Sequence, residues 1–154
     1  MKSLLIIACF LLIQTTATAS ETQLLPKDYN GWQKSVRKID NDKKSLFYGI
    51  HYIYADAKAM QGYKNKNRFP EGSRIIIEHF NIKNSPQGPV EGKKNMVVLM
   101  QKSKNEKATG GWLYAGYTAQ GKPSGLDPVK NCFECHQKEV ADRDYVFSDI
   151  KDFK

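Results

Sequence analysis

The hydrophobic residues of the chain gather into four short runs rich in aromatic and β-branched side chains. LFYGIHYIY (46–54), SRIIIEHFNI (73–82), NMVVLMQK (95–102) and WLYAGYTA (112–119) each have the length and composition of a strand. Turn chemistry precedes the first, at Asn41 to Lys44, and separates the next, at Pro70-Glu71-Gly72 and the Pro/Gly-rich loop NSPQGPVEG. That spacing predicts an antiparallel meander. Helical patterning is confined to three places. Tyr29, Trp32 and Val36 mark a buried stripe on a helix from Lys27 to Lys38, and ADAKAMQGYK (55–64) predicts a second. Asp127-Pro128-Val129 opens a third, with an Asp N-cap and proline at the first helical position, running to about Ala141. The tail DYVFSDIKDF is expected to return its aromatics to the sheet. The fold class is α+β: a twisted antiparallel sheet of four to five strands with flanking helices.

The ends of the 154-residue chain differ from its middle. Lys2, the apolar run Leu4 to Ile13 and Ala17-Thr18-Ala19 form a signal peptide over residues 1–19, too short to span a membrane. Cys9 sits in a loose lipoprotein-like box, but the apolar run continues past it. Residues 20–154 then form a single exported, periplasmic domain without a membrane span. Export leaves Cys132 and Cys135, and a bridge between residues so close would constrain little of the unfolded chain. The pair is therefore chemical rather than structural. The formal charge of +8 is spread over scattered lysines, so it reads as a solvated basic surface, or as steering toward an acidic redox partner. Nucleic acid is not expected.

The chemistry lies in Cys132-Phe133-Glu134-Cys135-His136. C-x-x-C-H attaches haem because two thiols three positions apart on a helix reach both vinyl groups of one porphyrin edge. The next residue, His136, then ligates iron. One covalent haem c is expected, with Cys132 and Cys135 as thioethers and His136 as metal ligand. Two rivals are a zinc site, which would have to recruit His51 and His79 from distant strands, and a thioredoxin-like pair, which would follow a βαβ unit. No Met or His follows His136, so a sixth iron ligand would have to come from the upstream sheet.

The chain resembles the cytochrome P-460 family, whose neighbours include the sheet-rich cytochromes c-prime-beta. LLPKDYNGW (24–32), YADAKAMQGYKNKNRFPEGS (54–73), GGWLY (110–114) and CFECHQKEVADRDYVFS (132–148) carry the likeness. It implies a haem c with one proximal histidine, an open distal face, binding of nitric oxide or oxidation of hydroxylamine, and homodimers. Reactive members cross-link a lysine to the porphyrin at the position matched by Ile77. No lysine occurs on that strand before Lys83, at its very end; a shift of register would bring Lys83 or Lys64 to that position. The family's distal arginine is matched by His51, which is expected over the haem as a hydrogen-bond donor, as a weak ligand or as a packed strand histidine. His79 shares a strand face with Ile77. Met60, Met96 and Met100 fit core positions or a sixth ligand. The resulting expectation is a cytochrome that binds or redox-processes small nitrogen compounds; the alternative is a six-coordinate electron carrier.

Overall fold

A computed structural model describes residues 25–154, so the expected signal peptide lies outside the described residues. The fold is α+β. Four strands pair antiparallel in chain order: β3 (Gly49–Ala55), β4 (Arg74–Ser85), β5 (Gly88–Lys102) and β6 (Trp112–Thr118). Two short strands, β1 (Gln33–Lys34) and β2 (Lys38–Asp40), pair side by side along the outer edge of β3, which makes six strands in all.

The first of them stands where a helix over 27–38 was expected, and the second begins at that helix's expected last residue. Only one 3-10 turn forms, at Tyr29–Gly31. The open edge of β3 offers backbone partners that an isolated short helix cannot match. The amide of Ser35 donates to Ile53 O at 2.8 Å, and that of Val36 to Asp152 O at 2.8 Å. Tyr29 is buried as expected, but Val36 is half exposed. A second departure concerns the expected loop NSPQGPVEG. Strands β4 and β5 continue through it as a hairpin arm, closed by Pro86-Gln87 between the paired residues Ser85 and Gly88. Pro86 sets the turn, and Gly88 takes the φ of +107° that follows.

Helix α1 (Ala57–Lys64) begins where Asp56 accepts the Ala59 amide at 2.8 Å. The motif segment starts as expected at Asp127, whose carboxylate accepts the amides of Val129 (2.9 Å) and Lys130 (3.0 Å). Its first turn is a π-helix, Val129–Phe133, which continues into α2 (Glu134–Val140) and a 3-10 turn, Ala141–Arg143.

Each face of the sheet carries its own core. Tyr29, Tyr54, Ile76, Val97, Leu99 and Tyr117 pack on one side. On the other, Ile53, Ile75, Met100, Trp112 and Tyr114 meet α1 and the motif helix through Ala59, Tyr63, Cys132 and Phe133. Each fully buried Ile or Leu contributes about 1.5–3 kcal/mol, so both cores hold the sheet. From the tail, Tyr145 and Phe153 pack back as expected, whereas Phe147 stays half exposed.

Candidate functional site

The motif straddles the change from π- to α-helix. Cys132, in the π-turn, is buried against the sheet; Cys135, on α2, is exposed. The two thiols are free, and burial, helped by Asp127, pushes the Cys132 thiol up to about 11. His136 is half-buried, and its Nδ1 lies 2.6 Å from the main-chain oxygen of Tyr145. A carbonyl only accepts, so Nδ1–H donates and Nε2 keeps its lone pair. Burial outweighs that bond and lowers the His136 pKa, favouring the neutral imidazole a metal ligand needs. Tyr114 and Phe147 wall the ring edge-on, with centroids 5.1 and 4.9 Å away.

Facing this helix is a shelf of strand residues. Ile53, Ile77 and Val98 are paired across β3, β4 and β5, and Ile75, Met100 and Tyr114 form the next row. Ile77 packs against the cluster that includes Cys132 and Phe133, yet remains partly accessible on a central strand. Among the described residues two buried polar atoms, His51 Nδ1 and Tyr114 Oη, have no hydrogen-bond partner. By strand alternation both belong to this same face. A buried polar atom without a partner costs about 1–3 kcal/mol, so each of the two calls for a water or a bound group to satisfy it.

The expected site residues therefore fall into two groups. Cys132, Ile77 and Met100 share one apolar cluster, and Tyr114 of that cluster touches His136. His51 sits on the same face, one pair along β3 from Ile53, which faces Ile77. Burial first, then His79 and Lys38, lowers the His51 pKa. His79 is fully buried and occupied, with Nδ1 2.6 Å from Asn95 Oδ1 and Nε2 3.1 Å from Tyr48 O. It is held in the sheet rather than offered to a ligand. Lys83 lies exposed on the hairpin arm and Lys64 exposed at the end of α1. No group of three or more His, Cys, Asp or Glu that could hold a metal ion is found among the described residues. The Tyr145 carbonyl was not foreseen, because any residue can supply a main-chain acceptor. The lone pair on His136 Nε2, the flanking thiols and the apolar shelf with two orphaned polar atoms fit a haem.

No curated protein matches the chain. The family model described as Cytochrome P460 matches residues 26–148, from the segment preceding the first 3-10 turn through the motif helix to the tail. Among the described residues no helix is long and apolar enough to cross a membrane. The match covers most of the chain, and the protein therefore belongs to the cytochrome P460 family, which implies a haem cofactor.

Proposed function

We propose that this protein is an exported, mono-haem c-type cytochrome that binds a small neutral nitrogen compound, nitric oxide being the type, at an open distal position. Cys132 and Cys135 hold the macrocycle covalently and His136 Nε2 holds the iron. When bound, the haem supplies the ligand-binding and redox chemistry. The chain's own residues orient and exclude. Tyr145 fixes the tautomer of His136, Tyr114 and Phe147 fix its ring plane, and Ile53, Ile77 and Val98 keep the approach apolar.

The observation that carries this reading is the His136–Tyr145 hydrogen bond, which leaves one imidazole nitrogen free beside the two thiols. Isoleucine at position 77 supports gas binding over hydroxylamine oxidation, since it has no amine to join to a porphyrin. A neutral diatomic also suits an apolar pocket. The signal-like residues 1–19 support export, where covalent haem attachment and an acidic redox partner for the basic surface belong together.

Optical spectroscopy of the purified protein tests the reading. An ordinary reduced haem c spectrum, lost in Cys132→Ala/Cys135→Ala protein, is expected, as is binding of nitric oxide and carbon monoxide to the ferrous form. A red-shifted reduced band would instead mean a cross-linked porphyrin. Failure to bind either gas would make the protein a six-coordinate electron carrier, with His51 or a methionine such as buried Met100 closing the sixth position.

A further inference from the structure

We propose that Asp144 is a positioning residue for His136, acting through the main-chain carbonyl of Tyr145. The inference rests on His136 being the axial ligand. After the 3-10 turn Ala141–Arg143 the chain reverses with two successive non-glycine residues in the left-handed region, Asp144 (φ 51°) and Tyr145 (φ 61°). The amide of Tyr145 donates back to Val140 O at 3.0 Å, the bond of a Schellman helix end. Glycine is the usual residue at the left-handed position of that motif. Here it is an aspartate, and its side chain is fully engaged.

Three parts of the molecule converge on Asp144. Lys102 of β5 donates to Oδ1 at 2.5 Å, and the amide of Phe69 donates to Oδ2 at 3.2 Å. Trp112 of β6, itself fully buried, donates Nε1–H to the Asp144 carbonyl at 2.8 Å. Tyr145 is pinned next. Its ring lies against Gly110, where an added Cβ would come within 2.5 Å of it, and packs on Phe133 of the motif with centroids 5.5 Å apart. The peptide plane after Tyr145 is then held at both ends: its N–H, on Val146, donates to Arg143 O at 3.2 Å, and its C=O accepts from His136 Nδ1 at 2.6 Å.

Gly110-Gly111-Trp112-Leu113-Tyr114 and the tail Asp144-Tyr145-Val146-Phe147 thus form two halves of one clamp. Gly110 admits the Tyr145 ring, Trp112 holds the Asp144 carbonyl and Tyr114 walls the imidazole. The clamp gives the Tyr145 carbonyl one direction. A fixed, short Nδ1–H···O bond makes the opposite nitrogen a stronger donor, and so tunes the metal through a residue that never touches it.

Resonance Raman spectra of the ferrous holoprotein and its reduction potential, measured on wild type, Asp144→Asn and Asp144→Gly, test the proposal. Asp144→Gly relaxes the left-handed position but removes both side-chain anchors; Asp144→Asn keeps size and backbone tolerance but loses the charge that pairs with Lys102. The iron–histidine stretching band should fall in frequency and the potential should rise, more for Gly than for Asn. A purely structural role would lower the melting temperature and leave both quantities in place at temperatures where the variant is folded. That result in either variant overturns the proposal; should the Gly protein fail to load haem, the Asn protein carries the test. Absence of an iron–histidine band in a five-coordinate ferrous wild type would overturn the ligation reading as well, so the two failures are distinguishable.

Discussion

His51 is the residue on the shelf whose role the local geometry defines least by packing and most by a missing partner. Its Nδ1 is buried and unsatisfied, and burial lowers its pKa, which favours a neutral ring with a polar atom to offer. If that nitrogen were part of the fold's own bonding, replacement by leucine would cost about 1–3 kcal/mol; with no partner to lose, the cost should be near zero. His51→Leu is therefore expected to keep wild-type stability and covalent haem. A hydrogen bond to a bound ligand is worth about 1 kcal/mol, so dissociation of the ferrous gas complex should quicken by roughly fivefold. The carbon monoxide stretching frequency should rise. Unchanged kinetics and stretch would return His51 to a packing role. At this scale the sequence was most direct where the residues adjoin: Cys132, Cys135 and His136 stand in one stretch. It was least legible at Asp144 and Tyr145. There a main-chain acceptor is hydrogen-bonded to His136, and an aspartate stands at a left-handed position normally marked by glycine.

Among the elements, the four long strands followed directly from their composition, but their ends and the first segment did not. Tyr29, Trp32 and Val36 satisfy a helical spacing, and nothing local forbids the helix. The outcome was decided by β3, whose outer edge pairs with β1 and β2 and removes its own exposed edge in doing so. The hairpin arm was hidden by its two prolines, which read as loop but occupy the turn and a position on the arm where Pro89 O accepts from Arg37. The start of β3 is the most constrained point of this region. At Gly49, φ is +152°, and an added Cβ would press on the Phe80 carbonyl and lie 2.5 Å from His79 Nε2. Neither the sheet backbone nor the doubly engaged His79 ring can yield. Gly49→Ala should thus destabilise the protein by about 1–3 kcal/mol in denaturant unfolding. Gly31→Ala, with nothing within 4 Å, should stay within about 0.5 kcal/mol. Equal effects at the two glycines would mean that close packing at the β3–β4 pair is not what holds the shelf's register.

On the scale of the whole molecule, two carboxylates fasten the outer segments to opposite faces of the sheet. Glu78 of β4 is buried on the face away from the motif and accepts from Tyr29 Oη (2.7 Å), Tyr54 Oη (2.9 Å) and Lys94. Asp152, in the C-terminal 3-10 turn, accepts from Lys38 of β2 at 2.7 Å and from the Asp149 amide at 2.8 Å. Burial alone would raise both carboxyls, but these hydrogen bonds outweigh it and hold each below its ordinary range. A depressed pKa means that the unfolded chain binds the proton more readily than the folded one, so stability rises with pH. The contribution is complete above the ordinary carboxylate value of about 4 and drains away as pH falls through the depressed values. His51, lowered by burial, adds an earlier decline that begins below about 6.5. Growing positive charge on a chain already at +8 acts in the same direction. Urea unfolding across pH separates these contributions. Wild type should lose stability gently below neutrality and steeply below about pH 4. Glu78→Gln should be less stable at pH 7, because Lys94 and two tyrosines lose a charged acceptor, yet fall less steeply in acid. If the variant keeps the wild-type acid slope, Glu78 is not where the protons enter, and the tie between the Tyr29 segment and the sheet is apolar packing alone.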